Sequence, residues 1–143
     1  MIIRAAQPAD AVTLHALLGE LAAFEGGTMT TTAEDLSRDC GTRFEALLAE
    51  EAGQSIGVLV FFPTYASWRG RPALMIHDLY VREAARGEGA AKALVAELKR
   101  LAASRGCCRI EVNVLEWNQR ARAFYEAMGL RWNEGWLGYQ GEV

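Results

Sequence analysis

The sequence predicts a mixed α/β fold, an α+β arrangement of one mixed sheet with helices on both faces. Three observations predict it. Apolar stripes of helical period alternate with runs rich in Val, Ile, Leu and aromatics; three such runs in the middle of the chain are separated only by Gly- or Pro-bearing turns; and a glycine turn joins the last of them to another helical stripe. The resulting order is strand, two helices, three strands, helix, strand, helix, strand, which is not the alternation of a doubly wound sheet.

Each element has its own signal. Ile2 to Ala5 reads as a short strand, and Leu14, Leu17, Leu18 and Leu21 then recur at helical spacing between Pro8 and Phe24. The polar stretch from Glu25 through Gly26 and Gly27 to Thr32 is a loop, and Thr32 with Asp35 three residues on forms a capping pair for a second, short helix. Phe44 to Glu51, Gln54 to Pro63 and Pro72 to Val81 read as three hairpin-linked strands, with turns at Gly53 and at Trp68-Arg69-Gly70-Arg71. After the glycine turn, Leu94, Leu98 and Leu101 with Val95 and Ala102 make an amphipathic helix that Gly106 closes. Cys107 to Leu115 reads as a strand. Asn118 caps a helix reaching Met128, with Ala121, Phe124, Tyr125 and Met128 on its inner face, and Trp132 to Gly141 supplies a last strand or two.

Composition bounds the function. With 143 residues, 51% hydrophobic and 23% charged, the chain has the length and balance of one domain, expected to span 1–143. The net charge of −3 and the scattering of Arg and Lys among acids argue against a nucleic-acid footprint. No run approaches the ~18 apolar residues of a membrane span, and Arg4, Pro8 and Asp10 interrupt anything like a signal peptide, so no membrane and a cytoplasmic location are expected. Cys40, Cys107 and Cys108 match no zinc or disulfide spacing and read as reduced thiols; His15 and His77, the only histidines, lie at no metal-ligand spacing, so no metal is expected.

The stretch with most chemical content is Arg86-Gly87-Glu88-Gly89-Ala90-Ala91-Lys92. Two glycines at a helix start bring free backbone N–H groups and the positive end of the helix dipole to one spot, and the missing β-carbons let an anion approach. A Walker A loop would need Gly-Lys-Ser/Thr, which does not occur, and a dinucleotide fingerprint would need a third Gly where Lys92 stands. A tight turn without a ligand would use the same two glycines.

That segment fits the Arg/Gln-x-x-Gly-x-Gly/Ala signature and resembles the GNAT superfamily of N-acetyltransferases. Asp78-Leu79-Tyr80-Val81, Gly106-Cys107, Val114 to Asn118, Ala123 to Gly129 and Glu134-Gly135-Trp136 are similar to the diamine (spermidine/spermine) acetyltransferase branch, over nearly the whole chain. The resemblance implies a GNAT fold, with a mostly antiparallel sheet splayed open where acetyl-CoA binds. It implies that the pantetheine arm lies along Leu79, Tyr80 and Val81 and that the pyrophosphate rests on Arg86, Gly87, Glu88, Gly89, Ala90, Ala91 and Lys92. Asn118, Arg120 and Ala121 would contact the cofactor's other side. Tyr125 matches the tyrosine that protonates the departing thiolate, a role suited to a phenol of pKa near 10, although its helical spacing with Ala121 and Met128 also fits plain core.

The branch carries a glutamate before Asp78 that serves as base; here His77 stands there. Imidazole is a competent base near neutral pH but cannot neutralise a polycation. Ala66 and Ser67 precede Trp68 where polyamine enzymes carry an acid, and the Glu25 loop is short, so the polycation pocket is depleted. Glu25, Asp78 and Glu134 remain as ammonium partners, with Trp68 beside them as a substrate contact. Strand alternation sets His77 and Asp78 on opposite faces unless a bulge lies between Met75 and Val81.

The expected function is direct transfer of acetyl from acetyl-CoA to a primary amine of a small molecule, diamine-like or amino-acid-like. Two alternatives stay open: an acyl-CoA-binding sensor without turnover, and acetylation of a protein N-terminus or lysine. Members of the branch usually pair as homodimers through C-terminal strands, and Trp132, Trp136, Leu137 and Tyr139 suit either such an interface or the protein's own core.

Overall fold

The computed structural model describes residues 1–143. It divides into two compact units, Met1–Asn113 and Val114–Val143.

The first unit holds a five-stranded sheet in the order β1 (Ile2–Ala5), β2 (Glu45–Glu51), β3 (Gln54–Ala66), β4 (Arg71–Val81), β5 (Ile110–Val112). The first four pair antiparallel and β4 with β5 parallel, so the sheet is mixed, as the sequence predicts. Three helices cover it: α1 (Ala11–Glu25), α2 (Ala33–Asp39) and α3 (Ala90–Ser104). The predicted start of α1 at Pro8 is instead a 3-10 turn over Pro8–Asp10. Leu14 and Leu17 of α1 and Leu36 of α2 pack on Ala46, Leu48, Val58 and Val60, the alternate residues of one sheet face. The intervening residues, Leu47, Leu59, Phe61, Leu74 and Ile76, are buried on the opposite face, where α3 contributes Leu94, Val95 and Leu98. Each buried leucine contributes roughly 2 kcal/mol relative to exposure.

Local signals set the boundaries. Thr32 accepts from the Asp35 amide at 3.1 Å while Asp35 accepts from the Thr32 amide at 3.0 Å, the reciprocal capping box that starts α2. Gly106 takes a left-handed conformation just past the end of α3, with φ 74°.

Two expectations are corrected. The strand expected over Cys107 to Leu115 keeps regular pairing only over Ile110–Val112. Its pairing with β4 stops at Ile76, because the next residue, His77, is bulged out of the β3–β4 ladder and turns β4 aside. The last strands expected between Trp132 and Gly141 do not form. Residues 132–141 take part in no ladder, and Gly135 interrupts extension with φ 91°.

The second unit contains α4 (Gln119–Ala127), capped as predicted by Asn118, whose Oδ1 accepts from the Ala121 amide at 3.0 Å. Trp132, Trp136, Leu137 and Tyr139 are all exposed, so none of them forms a core within this unit. No helix of the chain is long and apolar enough to cross a membrane.

Candidate active site

The glycine turn follows β4 directly. After a 3-10 turn over Glu83–Ala85, Gly87 and Gly89 take φ values of 87° and 84°, and Gly89 is the N-cap of α3. A Cβ built on either would meet no atom within 4 Å, so open space lies over both. The first α3 bond runs from the Ala93 amide to the Gly89 carbonyl at 2.9 Å; the amides of Ala90, Ala91 and Lys92 precede it, and no side chain caps them. With no acid in the first turn of the helix, this end fits a phosphate group.

Two arginines pin the turn. Arg82 donates to Glu20 Oε2 from Nη2 at 3.0 Å and from Nε at 3.1 Å, to Glu20 Oε1 from Nε at 3.3 Å, and to the Ser55 carbonyl at 3.1 Å. Arg86 Nε donates to the Val81 carbonyl at 3.0 Å, and its guanidinium lies over the rings of Phe24 (5.6 Å) and Tyr80 (5.8 Å). Tyr80 donates its hydroxyl to Glu20 at 3.1 Å, and burial, then Glu20, pushes its phenol up. Glu20, Phe24 and Arg82 were not singled out in the sequence. Glu20 and Phe24 stand four residues apart on α1, one helical face, and that spacing was the available signal.

Beyond Ile76, β4 has no partner on its β5 side, so the sheet is open along Leu79, Tyr80 and Val81 as the resemblance implies. The Arg82 amide donates toward β3, to the Ile56 carbonyl at 2.9 Å, which turns the Val81 carbonyl to the open edge. There Arg86 occupies it. By strand alternation the Leu79 amide and carbonyl face the same edge, while those of Tyr80 face β3.

The bulge that the sequence left conditional is present. Val60 pairs with Asp78 and Phe61 with Ile76, so His77 is the extra residue. Met75, His77, Asp78 and Tyr80 therefore share the α1 face, two neighbours among them. His77 Nδ1 lies 3.0 Å from Asp78 Oδ2, and its ring tilts against Phe62 with centroids 5.9 Å apart. The hydrogen bond to Asp78 pushes the His77 pKa up. Glu25, at the end of α1, is pushed up first by burial and then by the Asp78 charge, so Glu25, His77 and Asp78 form one electrostatic group.

Trp68 stands apart. It lies in the β3–β4 turn, 97% exposed, about 20 Å along the hairpin from Asp78. In the second unit, Tyr125 is buried and packs edge-on against Phe124 at 5.2 Å, whereas Arg120 and Glu134 are exposed.

Comparison with known proteins gives the following. A family model described as the acetyltransferase (GNAT) family matches residues 14–130. The thialysine N-epsilon-acetyltransferase of Caenorhabditis elegans is 34% identical over 142 residues, covering 93% of this chain and 86% of that protein. The L-ornithine N5-acetyltransferase NATA1 of Arabidopsis thaliana is 35% identical over 80 residues, covering 56% of this chain and 35% of that protein. Among solved structures, a ribosomal-protein-alanine N-acetyltransferase from Brucella melitensis biovar Abortus 2308 superposes with a TM-score of 0.82 at 23% identity, covering all of both chains, a likeness of fold.

Proposed function

This chain belongs to the acetyltransferase (GNAT) family, whose donor is acetyl-CoA, and we propose that its acceptor is the terminal side-chain amine of a small amino acid or a related diamine. Two relatives are named for acetylation at such a nitrogen, N-epsilon in one and N5 in the other. The observation that carries the reading is the open edge of β4 leading directly to the uncapped start of α3.

Bound acetyl-CoA supplies an activated thioester carbonyl. The amides of Gly87, Glu88, Gly89, Ala90, Ala91 and Lys92 hold its pyrophosphate, and Leu79, Tyr80 and Val81 line its pantetheine arm. Arg86 holds the turn to the Val81 carbonyl, leaving the Leu79 groups and the Val81 amide on the edge open to the arm. His77 takes the proton of the attacking amine, and Glu25 and Asp78, with Glu134 by the family motif, are the acceptor's ammonium partners, whereas Trp68 lies too far along the hairpin to share that acceptor. By the family motif, Tyr125 would give a proton to the departing thiolate, and Asn118, Arg120 and Ala121 would contact the cofactor.

Residues 1–143 act as one domain in this reading, since the family match runs through the boundary at Asn113. Homodimerisation through the exposed aromatics of residues 132–139 and a cytoplasmic setting, suited to three free cysteines, belong to the same proposal.

The test is release of free CoA thiol from acetyl-CoA against polyamines, ornithine and lysine analogues, aminoglycosides, amino acids and short peptides. Turnover with ornithine, lysine analogues or diamines supports the assignment. Turnover with peptides alone moves it to a protein acceptor, and acetyl-CoA binding without turnover moves it to a sensor.

A further inference from the structure

Building on the reading of His77 as the base, we propose that Asp78 is a positioning residue that fixes the His77 imidazole with Nε2 toward the acceptor, and that Glu25 alone on this face receives the acceptor's second cationic group. The role of Asp78 as an ammonium partner is thereby replaced.

Geometry carries the proposal. The bulge puts two consecutive residues on one face, which an unbroken strand forbids, and they meet at 3.0 Å between Nδ1 and Oδ2. A carboxylate only accepts, so Nδ1 bears the hydrogen and the second nitrogen, Nε2, presents a lone pair. Nε2 makes no hydrogen bond within the chain. Phe62 closes one side of the ring.

Exposure separates the roles: the His77 side chain is 64% exposed and that of Asp78 26%, so the imidazole faces outward and the carboxylate stands behind it. An ammonium arriving from solvent meets the imidazole first.

The charges around the pair agree. From α1, Glu25 adds negative charge; from β3, Phe62 adds none; from β5, Glu111, level with Met75, is neutralised by Arg109. The Asp78 bond holds His77 above its ordinary value, which strengthens it as a base at the expense of keeping it protonated to higher pH. In the step itself one N–H bond of the acceptor breaks and one forms at Nε2. The hydrogen on Nδ1 stays there, donated to Asp78, the imidazolium later releases the Nε2 proton to water, and nothing is oxidised or reduced.

The pair is tested by nitrogen-detected NMR titration of the histidine ring together with the pH dependence of kcat/KM for CoA release. His15 is the only other histidine, and His15→Gln assigns the signals. The expected result is the Nδ1–H tautomer in the unmodified protein. In Asp78→Asn the His77 titration moves down toward the ordinary value, the acidic limb of kcat/KM moves with it, and kcat falls at least about tenfold because the tautomer is no longer held. Glu25→Gln should raise the amine KM and leave the histidine tautomer in place. If Asp78→Asn keeps tautomer, limb and kcat and raises only the amine KM, Asp78 is an ammonium partner and the proposal is wrong. If His77→Gln keeps the limb and the rate, the base assignment itself has failed. An Nε2–H tautomer in the unmodified protein overturns the pairing even where no acceptor turns over.

Discussion

Replacing Gly57 with alanine probes the junction of β3, β4 and α3, where the sheet approaches the site. A Cβ there would stand 3.1 Å from the Tyr80 carbonyl oxygen, 3.2 Å from Val81 Cγ2 and 3.5 Å from Leu94 Cδ1. Leu94 and Val81 are buried, so neither side chain can swing into solvent. Two effects oppose each other. Alanine narrows the unfolded ensemble and stabilises by about 0.4–1 kcal/mol, whereas overpacking costs about 1–3 kcal/mol. Here overpacking prevails, because the nearest neighbours are a backbone oxygen held in the ladder and a β-branched side chain with one comfortable rotamer.

The net loss is about 1–2 kcal/mol. For 143 residues at about 2.1 cal/mol/K each, the unfolding entropy is about 0.3 kcal/mol/K, so Tm falls by about 3–7 °C. Gly19→Ala supplies the opposite sign: Gly19 lies inside α1 with nothing within 4 Å of a Cβ, and alanine there adds about 1 kcal/mol, or about 3 °C. Thermal unfolding followed by far-UV circular dichroism measures both. A Tm for Gly57→Ala equal to or above that of the parent, with Gly19→Ala raised, would show that the junction relaxes freely and refute the packing argument.

Three further outcomes are expected. Tyr125→Phe lowers turnover more than about tenfold with acetyl-CoA affinity nearly unchanged, as stopped-flow thiol release and calorimetry would read; equal turnover removes the acid role. Gly89→Val puts a branched side chain at φ 84° over the amides of α3, so acetyl-CoA Kd rises at least about tenfold while strain removes about 1–2 kcal/mol of stability. Arg4→Ala severs the bidentate bonds to Asp10 and the bond to Glu50, at a cost of about 1 kcal/mol after solvent screening. The Arg4 guanidinium holds the Asp10 pKa below its usual range, so its stabilisation is present above about pH 4 and disappears as acid protonates Asp10. Urea unfolding should show a gap between parent and variant at neutral pH that closes on acidification.

The parts of this fold that were legible in the sequence are those whose signal is local. Leu14, Leu17 and Leu21 are buried because they lie on one helical stripe, and Thr32 with Asp35 announces a helix start through its own backbone. The glycine turn was legible for the same reason, since positive φ and missing β-carbons are properties of Gly87 and Gly89 themselves. Trp132 to Gly141 misled because its aromatics and Leu137 look like strand, and a strand exists only where a partner takes its hydrogen bonds. The occupation of the Val81 carbonyl by Arg86 was equally hidden, being a contact across a turn that no spacing encodes.

The bulge at His77 lies between these cases. Alternation required that His77 and Asp78 oppose each other or that one extra residue intervene, and no residue of β4 announces which. The answer lies in β3, where Val60 and Phe61 are consecutive yet pair with Asp78 and Ile76, two positions apart. One extra residue has three results at once: it ends the ladder with β5, opens the edge at Leu79, and turns an imidazole and a carboxylate to the side where Glu25 stands. Deleting His77 should therefore do more than remove a base. It would restore alternation, let β5 pair past Val112 and close the edge, so acetyl-CoA binding should be lost together with turnover, whereas His77→Gln should lose turnover and keep the cofactor. Equal acetyl-CoA affinity in the deletion and the substitution would show that the opening of the sheet does not depend on the bulge.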